Sequence, residues 1–529
     1  MTPTVRKSLS WPVSSNTRNT GTAFALLCAM GLTIVLAATI NHESLWTDEA
    51  FSAFLASHRS LGSLWSTLLG GDSSDLQMWM YYTYLFLWGK IFGLSEIAFR
   101  TANIPFGFIF SAALVWSCQR LYNSRLSWIV AGLSPLVWAF SNDARPYFVI
   151  TAFGTVCVGA LSIYLETSEG SEKKFLPWVV LAGLLIGATF HMLMLLLVAP
   201  LCVMVLTFWK SKTEAIRWRD WKIPLSVLAP LALAEAVFFL WTFQRGTAYE
   251  YAHPDLISMA SVVFRFAGLT GYYPNRRYDI SLRPYVPTMV AASLAFVIGL
   301  VALALAARRS PHWLRVRALS LALVFGMVQV FAMSVAIKEQ VEVRHTASLL
   351  PLFLFLIMAG LSVSEGQKWS RAARISFACL AAVWLLGDMR QCFLPEYQRE
   401  DFRAAVRKVE EVSAATHAEV AVVADPAAAD YYGLAMQGND CYPLVGSCQS
   451  GFAKVPWPTE VPAVYAGTWS ASQVSKWLSE GKQSKRPRVV LISRTRHPMY
   501  KNSPWWPELQ YLQYSNLYLF HGFYVFVFS

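Results

Sequence analysis

Long apolar stretches separated by short polar ones recur along most of the chain. The first covers residues 22–40, is uncharged, and has about the length of roughly 20 residues that a helix needs to cross a bilayer. A chain that repeats such stretches is predicted to be a polytopic α-helical membrane protein, here with about 11 spans. The further stretches occupy residues 101–118, 126–140, 147–165, 175–189, 192–209, 223–243, 285–307, 318–337, 346–363 and 375–386.

Residues 75–93 form one more apolar stretch, rich in aromatic side chains. Hydropathy alone predicts that it spans the membrane, but cytoplasmic loops carry an excess of Lys and Arg. If this stretch lies in the interface, every basic cluster falls on the cytoplasmic side of the membrane. If it crosses the membrane, every basic cluster falls on the outer side. We therefore expect an interfacial helix at 75–93, with the N-terminus inside and the C-terminus outside. The basic loop residues are Arg120 and Arg125; Lys173 and Lys174; Lys210, Lys212, Arg217, Arg219 and Lys222; Arg308, Arg309, Arg315 and Arg317; and Lys368, Arg371 and Arg374.

The composition agrees with a membrane protein. Of the 529 residues, 55% are hydrophobic and 14% are charged, whereas about 25% are charged in soluble domains. The net charge of +12 does not indicate nucleic-acid binding, because the basic residues lie in short loops and no nucleic-acid motif occurs. Residues 1–21 are polar and basic, which predicts a disordered cytoplasmic tail before a signal anchor. The sequence contains no P-loop, no dinucleotide fingerprint and no metal-ligand spacing.

The composition changes after about residue 390. Hydrophobic stretches become short, and charge and proline increase, which predicts that residues 22–390 form the transmembrane domain and 391–529 a small α/β domain on the outer face. Cys441 and Cys448 lie in this domain and would be able to pair in an oxidising compartment. Predicted elements are helices at 400–415 and from Pro426 toward Met436, and strands at 420–423, 489–493 and 522–528.

Two adjacent carboxylates, Asp48 and Glu49, follow the first span directly. They open a stretch in which Phe51, Phe54 and Leu55 recur at helical spacing, continued to Leu68, which predicts an amphipathic helix in the membrane interface. An acid near the membrane is costly, so this pair is a functional-site hypothesis. The alternative is structural, since acidic residues also favour the first turn of any helix.

Other charged residues fall in the same outward loops as the acid pair. The first loop covers residues 41–100 and the fourth, rich in arginine, covers 244–284. Acids, arginines and histidines are thus predicted to gather on one membrane face. The shorter loops contribute Asp143 and Arg145; His191; and Arg344 and His345.

Six short motifs occur in order along the chain. Trp46-Thr47-Asp48-Glu49-Ala50 follows the first span. Residues 75–82 (DLQMWMYY) are similar to the pattern D-x-H-P-P-L-Y-Y, 93–100 (GLSEIAFR) to G-x-S-E-x-A-x-R, and 142–147 (NDARPY) to acid-A-R-x-Y. Val343-Arg344-His345 before Leu350-Pro351 is similar to R-Y…P, and 400–405 (EDFRAA) to D-W-R-x-A.

Together these motifs resemble those of the GT-C superfamily of integral-membrane glycosyltransferases, over residues 20 to 435. The nearest branch includes protein O-mannosyltransferases, lipid A aminoarabinose transferases and bacterial transferases that depend on polyprenyl-phosphate sugars. The chain departs from the pattern where Gln77-Met78-Trp79 replaces His-Pro-Pro and where His345 replaces Tyr. The departures bear on the substrate more than on the reaction, and no catalytic role is assigned to Gln77.

The resemblance implies transfer of a sugar from a polyprenyl phosphate to an acceptor, with inversion. The reaction needs a base for the acceptor hydroxyl and cations for the phosphate. The family places the base on an Asp of the first outer loop, which corresponds to Asp48. Glu49 would orient Asp48, bind the acceptor or cap the helix. Arg344 suits phosphate because a guanidinium binds it in a bidentate way. The resemblance implies no metal and no other cofactor.

The remaining candidates each have a structural alternative. Asp143 would face the same cavity, or form an ion pair with Arg145. Tyr81 and Tyr82 would line a groove for the prenyl chain or acceptor, or belong to an aromatic belt. His345 would assist Arg344, or be structural. The same choice between substrate binding and structure holds for Arg100, Lys90 and His191.

The expected partners are a polyprenyl-phosphate sugar, a lipid, glycan or protein acceptor, and the bilayer. The expected location is the bacterial inner membrane, with the active site on the periplasmic side. Two other classes stay open: a transporter or flippase for polyprenyl-linked sugars, and a polysaccharide polymerase. Transporters usually have broken spans and charges in mid-membrane, and a polymerase would need no acid pair directly after the first span.

Overall fold

The computed structural model describes most of the chain. The described residues are 15–70, 74–122, 127–167, 171–210, 216–243, 254–272, 283–308, 313–338, 340–362, 370–393, 401–423, 426–437, 461–467, 469–493, 505, 514–520 and 523–528. The predicted pair Cys441 and Cys448 and much of the fourth outer loop lie outside these residues.

Helices make up the first three quarters of the chain. They are α1 (Ser15–Ala38), α2 (Thr47–Ala56), α3 (Leu61–Gly70), α4 (Trp79–Phe92), α5 (Glu96–Thr101), α6 (Ile104–Leu121), α7 (Ser127–Gly132), α8 (Pro135–Ser141), α9 (Tyr147–Glu166), α10 (Ser171–Phe190), α11 (Val198–Trp209), α12 (Trp218–Phe243), α13 (Leu256–Phe266), α14 (Val286–Arg308), α15 (Trp313–Ile337), α16 (Leu350–Ser362) and α17 (Ser370–Phe393). Short 3₁₀ helices cover Ser74–Met78, Met192–Leu197, Thr270–Tyr272, Arg283–Tyr285 and Val343–Leu349.

The chain is a multi-pass membrane protein. Within the described residues, 8 helical stretches are long and apolar enough to cross a membrane. The predicted spans at 22–40, 126–140 and 375–386 are not among them, so the count of about 11 spans stays a prediction. The eight stretches are Glu96–Leu121, Tyr147–Glu166, Lys173–Phe190, Met192–Trp209, Trp218–Thr242, Arg283–Val301, Trp313–Ile337 and Val343–Gly360.

The predicted span at 126–140 is interrupted in its middle. It consists of α7 and α8, and Ser134 between them has an extended backbone with ψ of 128°. Pro135 explains the break, because its ring disfavours helical geometry in the preceding residue and suits the first position of a new helix. The Trp138 indole donates a hydrogen bond to the carbonyl of Gly132 at 3.2 Å and so holds the two short helices together.

The predicted interfacial helix after the first span is likewise two helices, α2 and α3. The hydroxyl of Ser57 donates to the Phe54 carbonyl at 2.8 Å, and a ring nitrogen of His58 contacts the Leu55 carbonyl at 3.0 Å. Such side chains compete for the carbonyls of the last helical turn and end the helix. Within the second predicted interfacial stretch, α4 has 14 residues, too few to span a bilayer alone.

Helix α9 is the centre of the bundle. Of its most apolar window, 89% is buried, as expected for a helix that is hydrophobic on all sides. Its C-terminal end is fixed by Arg315 of α15, which pairs with Glu166 and donates to the Leu121 carbonyl of α6 at 2.8 Å. The N-terminal end of α9, at Tyr147, therefore marks the opposite end of the bundle.

A mixed sheet with flanking helices forms the C-terminal region, residues 401–528. It contains α18 (Phe402–Thr416), β1 (Glu419–Val422), α19 (Pro426–Tyr431), β2 (Leu434–Gln437), β3 (Val461–Tyr465), α20 (Ala471–Ser484), β4 (Arg488–Ser493), β5 (Asn516–Phe520) and β6 (Phe523–Phe528). The strand order is β2-β3-β1-β4-β6-β5. Strands β2, β3, β1 and β4 are parallel, for example with Val420 opposite Val489, and β6 and β5 add antiparallel.

Sequence patterns located three of these strands and missed the others. The helix predicted from Pro426 toward Met436 was wrong beyond Tyr431, because Gly433 adopts a φ of 113° and turns the chain into β2. The edge strand β5 was also missed. None of its residues is fully buried, and within the described sheet it is an edge strand that pairs only with β6.

Candidate active site

The candidate site lies at the end of the bundle where α9 begins. Segments far apart in sequence meet there: the start of α2 with Asp48, the loop between α8 and α9 with Arg145, the turn at His191, and the 3₁₀ helix with Arg344. These are the outward loops of the sequence analysis. The C-terminal region packs on the same end, where Tyr432 contacts Leu45.

Asp48 and Arg344 form an ion pair across 296 residues of sequence. The guanidinium also lies 3.1 Å from the Glu342 carboxylate and over the Trp46 ring, 5.3 Å from its centre. The two partners keep 26% and 19% of their side-chain surface exposed, so both can be reached by a substrate. A reachable carboxylate next to a reachable guanidinium can take a proton and hold a phosphate at one place.

Glu49 differs from Asp48 in having no exposed surface. Arg100 of α5 holds it with two charge-assisted hydrogen bonds, from Nε at 3.1 Å and Nη2 at 2.8 Å. The backbone N–H groups of Trp46 and Ala144 also donate to it, at 3.3 and 2.8 Å. Glu49 thus caps α2 and ties it to α5 and to the α8–α9 loop. This geometry favours a positioning role for Glu49 and Arg100 over contact with substrate.

Arg145 is held in a polar network that the sequence does not indicate. Its Nη1 donates to Tyr82 Oη at 2.8 Å and to Ser52 Oγ at 3.2 Å, and lies 4.0 Å from Asp75. Tyr82 in turn donates to Asp75 Oδ1 at 2.5 Å. Burial raises the pKa of Tyr82 well above its usual range, so the phenol stays protonated as a donor. Asp75 is the missed residue, and its only sequence signal is its place at the head of the 75–82 motif.

Asp143 and Tyr81 complete the inner wall of the site. Asp143 accepts a hydrogen bond from the Trp46 indole at 3.2 Å, and its carbonyl accepts one from Asn103 at 2.7 Å. Tyr81 is fully buried, and its hydroxyl has no hydrogen-bond partner among the described residues. Tyr81 and Tyr82 therefore have no surface with which to line an open groove in this conformation.

The two histidines are bound to backbone. His345 Nδ1 accepts from the Glu342 N–H at 3.2 Å and so caps the 3₁₀ helix that carries Arg344. His191 Nδ1 accepts from the Leu193 N–H at 3.3 Å, and its ring packs beside Tyr147. Lys90 lies apart from this cluster, over Phe86, and donates to the Arg59 carbonyl at 3.4 Å.

Burial of His191 should make the stability of the folded protein depend on pH. Burial, and then the positive charge of Arg145, lowers its pKa well below the usual range. The unfolded chain binds this proton near pH 6.5 and the folded chain does not, so stability falls as pH drops below about 6.5. Thermal unfolding in detergent measures this effect. Between pH 7 and pH 5 we expect the melting temperature to fall less for His191→Asn than for wild type. The exposed His417→Asn is the control and should leave the loss unchanged. Equal losses in all three proteins would contradict the assignment.

No group of three His, Cys, Asp or Glu side chains suited to a metal ion occurs within the described parts of the chain. The expectation of a reaction without a metal stays a prediction.

Comparison with known proteins places this geometry in a known fold. No protein-family model matches the chain, and no curated protein sequence matches it. The crystal structure of ArnT from Cupriavidus metallidurans in the apo state aligns over 96% of this chain and 98% of that one, with a TM-score of 0.50 and 12% sequence identity. The chain has an ArnT-like fold. The fold expected from the sequence motifs is thus confirmed.

A second ArnT crystal structure from Cupriavidus metallidurans, bound to undecaprenyl phosphate, aligns less well. The alignment covers 98% of the present chain and 99% of the ArnT chain, at 11% identity and a TM-score of 0.47. Only the fold follows from the ArnT likeness, so the reaction has to be argued from the residues of the site.

Proposed function

We propose that the protein is a GT-C glycosyltransferase that moves a sugar from a polyprenyl-phosphate donor to a lipid, polysaccharide or protein acceptor. One observation carries the proposal: Asp48 and Arg344 meet as a partly exposed ion pair at the end of the bundle where the polar loops converge. Elsewhere in that cluster Glu49 and Arg100 are fully buried. The ArnT-like fold supports the same class of reaction.

In the proposed step, the acceptor hydroxyl oxygen attacks the anomeric carbon of the sugar as its bond to the phosphate oxygen breaks. The electron pair of that bond leaves with the polyprenyl phosphate, whose charge Arg344 stabilises. The hydroxyl proton passes to a carboxylate oxygen of Asp48. Direct displacement inverts the anomeric centre. Binding of the phosphate to Arg344 competes with the ion pair and leaves Asp48 able to accept the proton.

The surrounding residues would orient this pair. Glu49 and Arg100 fix the start of α2, and with it the direction of Asp48. Arg145 reaches the Asp48 carbonyl at 3.4 Å and connects α2 to Tyr82. Asp143, on the same loop as Arg145, is the second carboxylate that an acceptor could meet.

The proposed location is the bacterial inner membrane, with the site and the C-terminal region on the periplasmic side. The charge distribution supports this orientation. Arg217 and Arg315 lie at the ends of helices remote from the site, where α15 starts and α9 ends. Positively charged loops stay on the cytoplasmic side, which leaves the site outside.

A transfer assay with defined donors tests the proposal. Purified protein in detergent is given radiolabelled polyprenyl-phosphate sugars and a panel of lipid, glycan and peptide acceptors. We expect label in an acceptor with wild type and with the control Glu411→Gln, an exposed acid on α18. Growth of a repeating polymer would instead indicate a polymerase. Movement of intact donor across proteoliposomes, with no transfer to any acceptor, would indicate a flippase and overturn the proposal.

A further inference from the structure

Residues 41–46 connect α1 to the acid pair and have no regular secondary structure. Backbone groups of such a segment have no helix or strand partners, so other groups must satisfy them if the segment is to be held in place. Here the partners come from two separate parts of the chain, the helical bundle and the C-terminal region.

The bundle supplies Arg100 and Asn142. Arg100 Nη1 donates to the carbonyls of Glu43 at 2.6 Å and Asn41 at 3.3 Å, and Nη2 donates to that of Ser44 at 3.2 Å. Asn142 Oδ1 accepts from the Asn41 N–H at 2.8 Å. One side of the segment is thus fixed to α5 and to the α8–α9 loop.

The C-terminal region supplies Tyr432, which follows α19. Its hydroxyl accepts from the Leu45 N–H at 2.6 Å and donates to Glu96 of α5. The ring is itself held, stacked on the fully buried Phe402 with 6.4 Å between centres and 14° between planes. The neighbouring Tyr431 donates to the Leu94 carbonyl at 2.8 Å. Because the Tyr432 ring and hydroxyl are both held in place, the hydrogen bond from Leu45 restrains the position of Leu45.

Arg403 of α18 supplies the second set of contacts. Its Nη2 donates to the His42 carbonyl at 2.7 Å and lies 2.7 Å from the other carboxylate oxygen of Glu96. Its backbone N–H donates to Ser44 Oγ at 3.3 Å. Glu96 thus joins Arg403 and Tyr432 from opposite sides of its carboxylate.

We propose that Tyr432 and Arg403 form a clamp on residues 41–46 that positions Asp48. Both are positioning residues: they act through this segment and the start of α2, and touch neither reacting atom. The inference rests on the proposed function for its effect on catalysis. It assigns the C-terminal region a task in the reaction, which is to hold the base of the transfer opposite Arg344.

Two variants weaken the clamp with little change in volume. Tyr432→Phe removes the acceptor for Leu45 and the donor to Glu96, and Arg403→Gln removes the cation between Glu96 and His42. The controls are Tyr518→Phe on β5 and Arg407→Gln, an exposed residue one turn after Arg403 on α18. Each protein is compared with wild type by hydrogen exchange of the 41–50 peptide and by transfer kinetics.

We expect faster exchange in the 41–50 peptide for both clamp variants and for neither control. We also expect kcat to fall by about 10- to 100-fold with the donor KM unchanged, because a small displacement of a catalytic group slows the chemical step without weakening donor binding. A general loss of folding would speed exchange in all helices and change both constants.

Unchanged exchange in both clamp variants would overturn the clamp. Faster exchange with unchanged kcat would overturn the positioning role, since the segment would then move without consequence for Asp48. If wild type transfers no sugar from any donor, the proposed function fails. The exchange comparison needs no turnover and would still support or overturn the clamp, so the two failures are distinguishable.

Discussion

Replacing Asp48 by Asn should lower kcat for sugar transfer by about 10²- to 10⁴-fold, the range that a general base contributes. The amide has the shape of the carboxylate but cannot accept the hydroxyl proton. Because Arg344 loses one of its two carboxylate partners and keeps Glu342, it becomes more available to the donor phosphate, so we expect donor KM to stay the same or fall. Initial rates over a range of donor concentrations measure both constants.

The matched comparison for Asp48→Asn is Asp143→Asn, which changes the other carboxylate of the site in the same way. Asp143 accepts a hydrogen bond from the Trp46 indole at 3.2 Å, whereas Asp48 pairs with Arg344. A larger loss of kcat in Asp143→Asn than in Asp48→Asn would exchange the two roles. Full activity in Asp48→Asn would remove Asp48 from the chemistry.

Replacing Arg100 by Met should destabilise the folded protein by roughly 3–5 kcal/mol, because the buried Glu49 carboxylate would lose the guanidinium that donates two hydrogen bonds to it. The same variant should have little transfer activity, since the start of α2 and residues 41–44 lose their common donor. Thermal or chemical unfolding in detergent measures the first effect, and the donor assay measures the second.

The double variant Glu49→Met/Arg100→Met separates pairing from packing. Replacing both members of a buried ion pair by apolar residues costs less than removing one, so the double variant should lose less stability than the two single variants added together. Additive losses would mean that the two side chains stabilise the fold independently. In that case Glu49 would not be the reason that Arg100 is buried.

Spacing along the chain was sufficient to predict the helical class and the helix that begins at the acid pair. Apolar stretches of span length are local patterns, and so is the helical spacing of Phe51 and Phe54. Such patterns can be recognised in a single sequence. The breaks were harder. The break between α7 and α8 is indicated by a single residue, Pro135. The break after α2 instead depends on the side chains of Ser57 and His58, which contact the carbonyls of the last helical turn.

Pairings between distant residues could not be predicted in the same way. Asp48 and Arg344 were each proposed for the site, but nothing in the sequence indicates that they touch across 296 positions. Glu49 and Asp48 show, conversely, that residues adjacent in sequence can have different surroundings. Glu49 stands beside Asp48 in the sequence, yet it is fully buried and hydrogen-bonded to Arg100 and Ala144, which favours a positioning role. Adjacent carboxylates on a helix point about 100° apart, so sharing a motif does not mean sharing a role.

The contact between Leu45 and Tyr432 joins residues 387 positions apart. A ribosome adds roughly 5–20 residues per second, so the first span enters the membrane about 20–80 s before Tyr432 is made. During that interval Leu45 lacks its hydrogen-bond acceptor Tyr432. If the proposed clamp is right, a shortened chain that stops before α18 would lack both Arg403 and Tyr432, and the proposed transfer would depend on synthesis of the chain as far as Tyr432.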